Sequence, residues 1–181
     1  VAAYLIEQVK AGAQALMIFD TWGGLLPDGW YQRMSLAAMQ KVIALLPREH
    51  EGRKIPVIMF TKGGGIWLND MAQVGADVIA IDWTMRLSRA RKQLLEINKP
   101  LALQGNLDPL ILFSGPQQIA AAASGLLDDL ASAPTLKPGL HPLDGHIFNL
   151  GHGINQFTPP ESVAALSETV ISKSKALRAA K

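Results

Sequence analysis

Polar residues recur at the ends of short apolar runs along this chain. Phe19 is followed by Asp20-Thr21, Phe60 by Thr61-Lys62, Ile81 by Asp82-Trp83, Leu103 by Gln104-Gly105-Asn106, and Leu150 by Gly151-His152-Gly153. Carboxylates, hydroxyls, carboxamides, an ammonium and an imidazole can between them hold an anion or move a proton. His152 stands apart because glycines flank it, and glycine lets the backbone turn sharply and lets a ligand come close. Hydroxyl, carboxamide, imidazole and backbone N–H groups gathered at one mouth would suit a polar, anionic ligand.

Each of these residues also has a plainer reading. Asp20 and Asp82 could simply cap the turn that follows a strand. Trp22 and Trp83 could pack a rim. Lys62-Gly63-Gly64-Gly65 has the composition of a phosphate loop but lacks the GxxxxGK[ST] spacing, so a nucleotide site is not indicated. His50, His141 and His146 fall in or beside loops and read as solvated surface. There is no HExxH, no GxSxG elbow and no GxGxxG fingerprint, so the motifs point to no metal and no cofactor.

The elements that would carry these residues alternate. Apolar runs predict strands over 15–19, 55–60, 78–81, 101–103 and 147–150. Helical spacing predicts helices over 1–11, 31–46, 66–74, 87–97 and 116–130, and a last helix with Val163, Leu166, Val170 and Leu177 on its buried side. Arg89, Arg91 and Lys92 are placed on the wet side of the helix over 87–97. Ser114 with Gln117, and Thr158 with Glu161, read as capping boxes opening the last two helices. Continuous apolar strands separated by helices imply a parallel sheet. The chain therefore reads as an α/β fold, the C-terminal portion (about five βα units) of a (β/α)8 TIM-type barrel. The whole barrel takes about 250 residues. An open doubly wound sheet is the alternative.

Composition narrows the classes. The chain has 181 residues, 49% of them hydrophobic, which suffices for one sizeable core, so residues 1–181 are expected to form a single domain. A net charge of +2 with no long run of one sign argues against nucleic acid as a partner. Zero cysteines exclude disulfides and thiolate metal sites. No apolar stretch approaches the roughly 20 residues of a membrane span, so a cytoplasmic protein without membrane contact is expected. Val1 opens in mid-helix, which suggests an incomplete barrel lacking its N-terminal units.

Ala11-Gly12-Ala13-Gln14-Ala15 leading to Phe19-Asp20-Thr21-Trp22-Gly23-Gly24, then Phe60-Thr61-Lys62-Gly63-Gly64-Gly65, Asp82-Trp83-Thr84, Leu103-Gln104-Gly105-Asn106-Leu107-Asp108-Pro109 and Asn149-Leu150-Gly151-His152-Gly153 together resemble the bacterial uroporphyrinogen decarboxylase family. The resemblance covers almost the whole chain, with the motifs in family order. It implies a homodimeric barrel, in haem and tetrapyrrole biosynthesis, that converts uroporphyrinogen III to coproporphyrinogen III without metal or organic cofactor. In that chemistry the protonated pyrrole of the substrate is the electron sink. Thr21 matches the family's serine or threonine that contacts substrate, and His152 matches the histidine of its LGHG motif. The family's arginine-bearing segment, its aspartate beneath the pyrroles and its tyrosine have no counterpart here, so the catalytic residues are expected on the part that would precede this chain. Two other readings stand beside this one. A corrinoid- or thiol-dependent methyltransferase barrel would need a cysteine-bearing zinc site. A non-catalytic barrel fragment would only bind or assemble.

Overall fold

The computed structural model describes residues 1–180. Helix α1 (Ala2–Lys10) leads into strand β1 (Leu16–Asp20), followed by a helix whose first turn is a wider π-type turn, Gln32–Leu36, continuing as α2 (Ala37–Ala44). A small hairpin, β2 (Glu49–His50) and β3 (Arg53–Lys54), precedes β4 (Val57–Thr61). Then come α3 (Leu68–Met71), β5 (Val78–Ala80), α4 (Leu87–Glu96), β6 (Ala102–Leu107), α5 (Pro116–Ala131), β7 (His146–Leu150) and α6 (Pro160–Ala179).

Strands β1, β4, β5, β6 and β7 form one parallel sheet in chain order. Alternation along each strand separates two faces. Leu16, Val57, Met59, Ile79 and Leu103 join a single core with Leu5 and Val9 of α1, Met39 and Ile43 of α2, Leu68 and Met71 of α3, Leu87, Ala90 and Leu94 of α4, and Leu127 and Leu130 of α5. Helix α6 docks on α5 through Leu166, beside Ile119 and Ala123. Full burial of a side chain such as Ile79 contributes about 1.5–3 kcal/mol. The helices thus share one face of the sheet. A doubly wound sheet reverses its strand order and carries helices on both faces. The alternative of an open doubly wound sheet is therefore excluded, and the five strands are an arc of a βα barrel.

Several local expectations are corrected. Arg91 is not on the wet side of α4: it is 0% exposed. It belongs to the stripe Leu87, Ala90, Arg91, Leu94, and its guanidinium donates to the carbonyl oxygens of Pro142 (3.4 Å) and Asp144 (3.2 Å). Arg91 so fastens the Pro- and Gly-rich loop before β7. Burial lowers its pKa, and nearby Asp144 opposes that shift. Neither capping box forms. Gly115 and Pro159 occupy the cap positions, Ser114 donates to Ile111 instead, and the Thr158 hydroxyl is buried without a partner. His146 and His141 are half-buried rather than solvated: His146 Nε2 donates to Gly105 O at 2.8 Å, and His141 Nδ1 accepts from the Leu143 N–H at 3.1 Å.

Candidate functional site

The polar residues at the strand ends divide into two sets. The first set builds the turns. Asp20 Oδ1 accepts from the N–H groups of Trp22 and Gly23, both at 2.9 Å, while its Oδ2 accepts from Ser35 Oγ at 2.7 Å. Asp82 accepts from the Gly63 and Thr84 N–H groups and from the Thr84 hydroxyl. Asn106 Nδ2 donates to the carbonyl oxygens of Asp82 (2.7 Å) and Met85. Thr61 is buried, sharing a 3.0 Å hydrogen bond with the Tyr31 hydroxyl. Tyr31 stacks on Trp67 with ring centroids 4.2 Å apart, and burial pushes its phenol up to about 12. Asp20, Asp82, Asn106 and Thr61 were expected to face the mouth; the structure assigns their side chains to the loops instead.

Glycines complete this frame. Gly24 lies so close to the backbone of Lys62 and Gly63 that a Cβ there would collide with the Lys62 carbonyl. Gly151 meets Trp83 and Asp82 in the same way, a Cβ falling 2.9 Å from the Trp83 nitrogen. Of the glycines after β4, Gly63 takes a positive φ of 74° against Gly24, and a Cβ on Gly64 would fall 2.9 Å from the Thr61 side chain. Trp22 does not pack the rim and is 70% exposed. Trp83 is 38% exposed, with Lys62 Nζ 5.9 Å above its ring, within cation–π range.

The second set lines a cleft of about 370 Å³ at the carboxyl ends of the strands, on the face that carries no helices. Its walls are Met17 and Phe19 of β1, Phe60 of β4, Ala80 of β5 with Ile81, and Leu150 of β7. Its polar members are Thr21, Gln104, Asn149 and His152. The His152 ring lies 6.4 Å from the Phe60 ring, tilted by 53°. Thr21 and His152, far apart in sequence, are thus brought to one cleft. Among the described residues, neither side chain makes a hydrogen bond within the chain, and both border the cleft. No carboxylate lines the cleft. Donors without a competing negative charge suit an anionic ligand seated against an apolar floor. Among the described residues, no group of three or more His, Asp or Glu side chains could hold a metal ion. No helix there is long and apolar enough to cross a membrane.

Sequence reading missed Asn149, Phe19 and Phe60 as cleft residues. The signal was present: on parallel strands, alternate residues near the carboxyl end share one face.

Strands in chain order, helices on one face and a donor-lined cleft at the strands' carboxyl ends define a βα-barrel protein of the kind that binds ligands at that end. The sequence model for uroporphyrinogen decarboxylase (URO-D) matches residues 1–172, and the chain belongs to that family. It is 54% identical over 178 residues to a uroporphyrinogen decarboxylase of Burkholderia thailandensis, a match covering 98% of this chain and 45% of that protein. It is 53% identical over 179 residues to one of Cupriavidus metallidurans, covering 99% and 46%. The chain therefore spans just under half the length of the curated relatives it matches, in their C-terminal part. Among solved structures, a methyltransferase from Methanosarcina mazei superposes with a TM-score of 0.72 over 94% of this chain and 45% of that one. At 20% identity that likeness carries the fold alone.

Proposed function

We propose that this chain is the C-terminal part of a uroporphyrinogen III decarboxylase and supplies one wall of its substrate cleft. On this reading the longer protein removes the carboxyl groups of the four acetate side chains to give coproporphyrinogen III. In each step the protonated pyrrole takes up the electron pair as the carbon–carbon bond to CO2 breaks. A proton is then delivered to the resulting methylene carbon, leaving a methyl group, and the ring carbon gives up its added proton, which restores the pyrrole. Thr21 and His152 are the residues assigned to substrate binding, each donating to a carboxylate. Such hydrogen bonds contribute about 0.5–3 kcal/mol each, which orients a polyanion without chemistry of its own. The residues that place the proton lie on the part of the longer protein outside this chain, and no metal or organic cofactor enters the scheme.

The observation that carries this reading is that the two family-matched residues, Thr21 and His152, meet at one cleft free of carboxylates. The 54% identity to a uroporphyrinogen decarboxylase favours decarboxylation. Chromatography of porphyrins formed from uroporphyrinogen III by the longer protein tests it, with coproporphyrinogen III expected. Absence of decarboxylated product sinks the reading. A single domain, a cytoplasmic location and a homodimer belong to the same proposal. Sedimentation of the longer protein as a concentration-independent monomer would remove the dimer.

A further inference from the structure

One layer of residues crosses the whole sheet in register. Phe19 pairs with Phe60, Phe60 with Ala80, Ala80 with Gln104, and Gln104 with Ile147. Four of these five are apolar, and Gln104 is the exception. It is only 5% exposed, yet its carboxamide lines the cleft. The contact available to its Nε2 is the thioether of Met17, at 3.7 Å. Sulfur is a weak acceptor. Buried amides are nearly always hydrogen-bonded, and one left without a good partner is costly. Leucine would fill this position without that cost. A carboxamide here, facing the cleft, is placed to take an acceptor that enters from it.

We infer that Gln104 binds substrate directly, donating its Nε2 N–H to a carboxylate oxygen of the tetrapyrrole that displaces the Met17 sulfur contact. This rests on the decarboxylase reading and adds a third donor to Thr21 and His152. The acceptor is a carboxylate because the other donors of the cleft select for one and because no acidic side chain lines it. A neutral donor on an apolar floor gains strength from the low local dielectric. It also costs less to keep buried than a lysine or arginine would.

The test uses a full-length family member in which this chain is the C-terminal part, with uroporphyrinogen III as the probe. Gln104→Leu removes the donor and should raise KM about tenfold, with kcat changed less and melting temperature unchanged or higher. Gln104→Glu keeps the shape but sets an anion against an anion, so its KM should rise at least as far. Gln104→Met retains the side-chain length without the donor and repeats the test if the leucine variant does not fold. A KM within twofold of wild type for the leucine or methionine variant, or a glutamate variant with wild-type KM, overturns the inference. If the wild-type protein forms no coproporphyrinogen III, the decarboxylase reading falls and this inference with it. If the wild type turns over and Gln104→Leu matches it, only the role of Gln104 falls.

Discussion

The turn frame and the cleft are made from the same kinds of residue at the same ends of the same strands. Asp20 and Thr21 are adjacent, yet Asp20 holds three donors of its own chain while Thr21, among the described residues, holds none. Asn106 and Gln104 lie two apart on β6, yet Asn106 binds two carbonyl oxygens while, among the described residues, the Gln104 carboxamide meets the Met17 sulfur. Polar side chains whose hydrogen bonds close within the chain fix geometry. Those left open are available to a ligand. The distinction lies in partners, not in residue type or position.

Substitutions can break that division. The largest effect is expected from Tyr31→Ala in the frame. Loss of a fully buried aromatic, its stack on Trp67 and its bond to Thr61 should cost about 3–5 kcal/mol in urea unfolding. Catalytic efficiency per folded molecule of the full-length protein should be unchanged. A drop in efficiency with stability intact would dissolve the contrast between frame and cleft.

His152→Asn is the counterpart in the cleft. It should lower kcat/KM by about ten- to a hundredfold, or roughly 1.5–3 kcal/mol of transition-state binding. Melting temperature should hold. Unchanged kinetics with a lowered melting temperature would move His152 from the cleft set to the frame set. Thr21→Val swaps a hydroxyl for a methyl of similar shape. Steady-state kinetics should show a loss of about two- to tenfold, or roughly 0.5–1.5 kcal/mol. A larger loss of stability than of activity would argue that the hydroxyl serves the turn.

The smallest effect is expected from pH acting on His146. Burial lowers its pKa, and the bond to the Gly105 carbonyl only partly opposes this. The unfolded chain therefore takes up a proton near the ordinary value of about 6.5 while the folded chain stays neutral. This contribution to stability is full above that pH and declines as pH falls below it. Melting curves across that range should flatten in His146→Phe. If the slope persists in that variant, the proton is taken up elsewhere.

Much of the architecture was legible because buried strands leave apolar runs and helices leave a 3.6-residue period. Strand β6 was read as ending at Leu103, but it continues to Leu107, because Gln104, Gly105 and Asn106 interrupt the apolar run that marks a strand. The hairpin β2–β3 left no apolar signal, being made of Glu49, His50, Arg53 and Lys54. Its only sequence mark is Glu51-Gly52, where both residues take positive φ. Asp77 anchors it by binding Lys54 Nζ at 2.8 Å and the Val57 N–H at 2.8 Å. The burial of Arg91 was legible in principle from its place in the stripe with Leu87, Ala90 and Leu94, but its charge argued the other way. Part of the division was legible, since Asp20 and Asp82 take turn donors from Trp22, Gly23 and Thr84 close by in sequence; the partners of Thr61 and Asn106, at Tyr31 and in the segment after β5, lie 20 or more residues away and leave no mark in the spacing.

Strand order that follows chain order has a consequence for synthesis on the ribosome. β4 needs only β1, β5 only β4, β6 only β5 and β7 only β6. Each segment emerging from the exit tunnel finds its neighbour already made, and each pairing closes a loop of modest length, which keeps the entropic cost of each step small. The sheet can therefore grow by one-way accretion during translation, with α6 settling last onto α5.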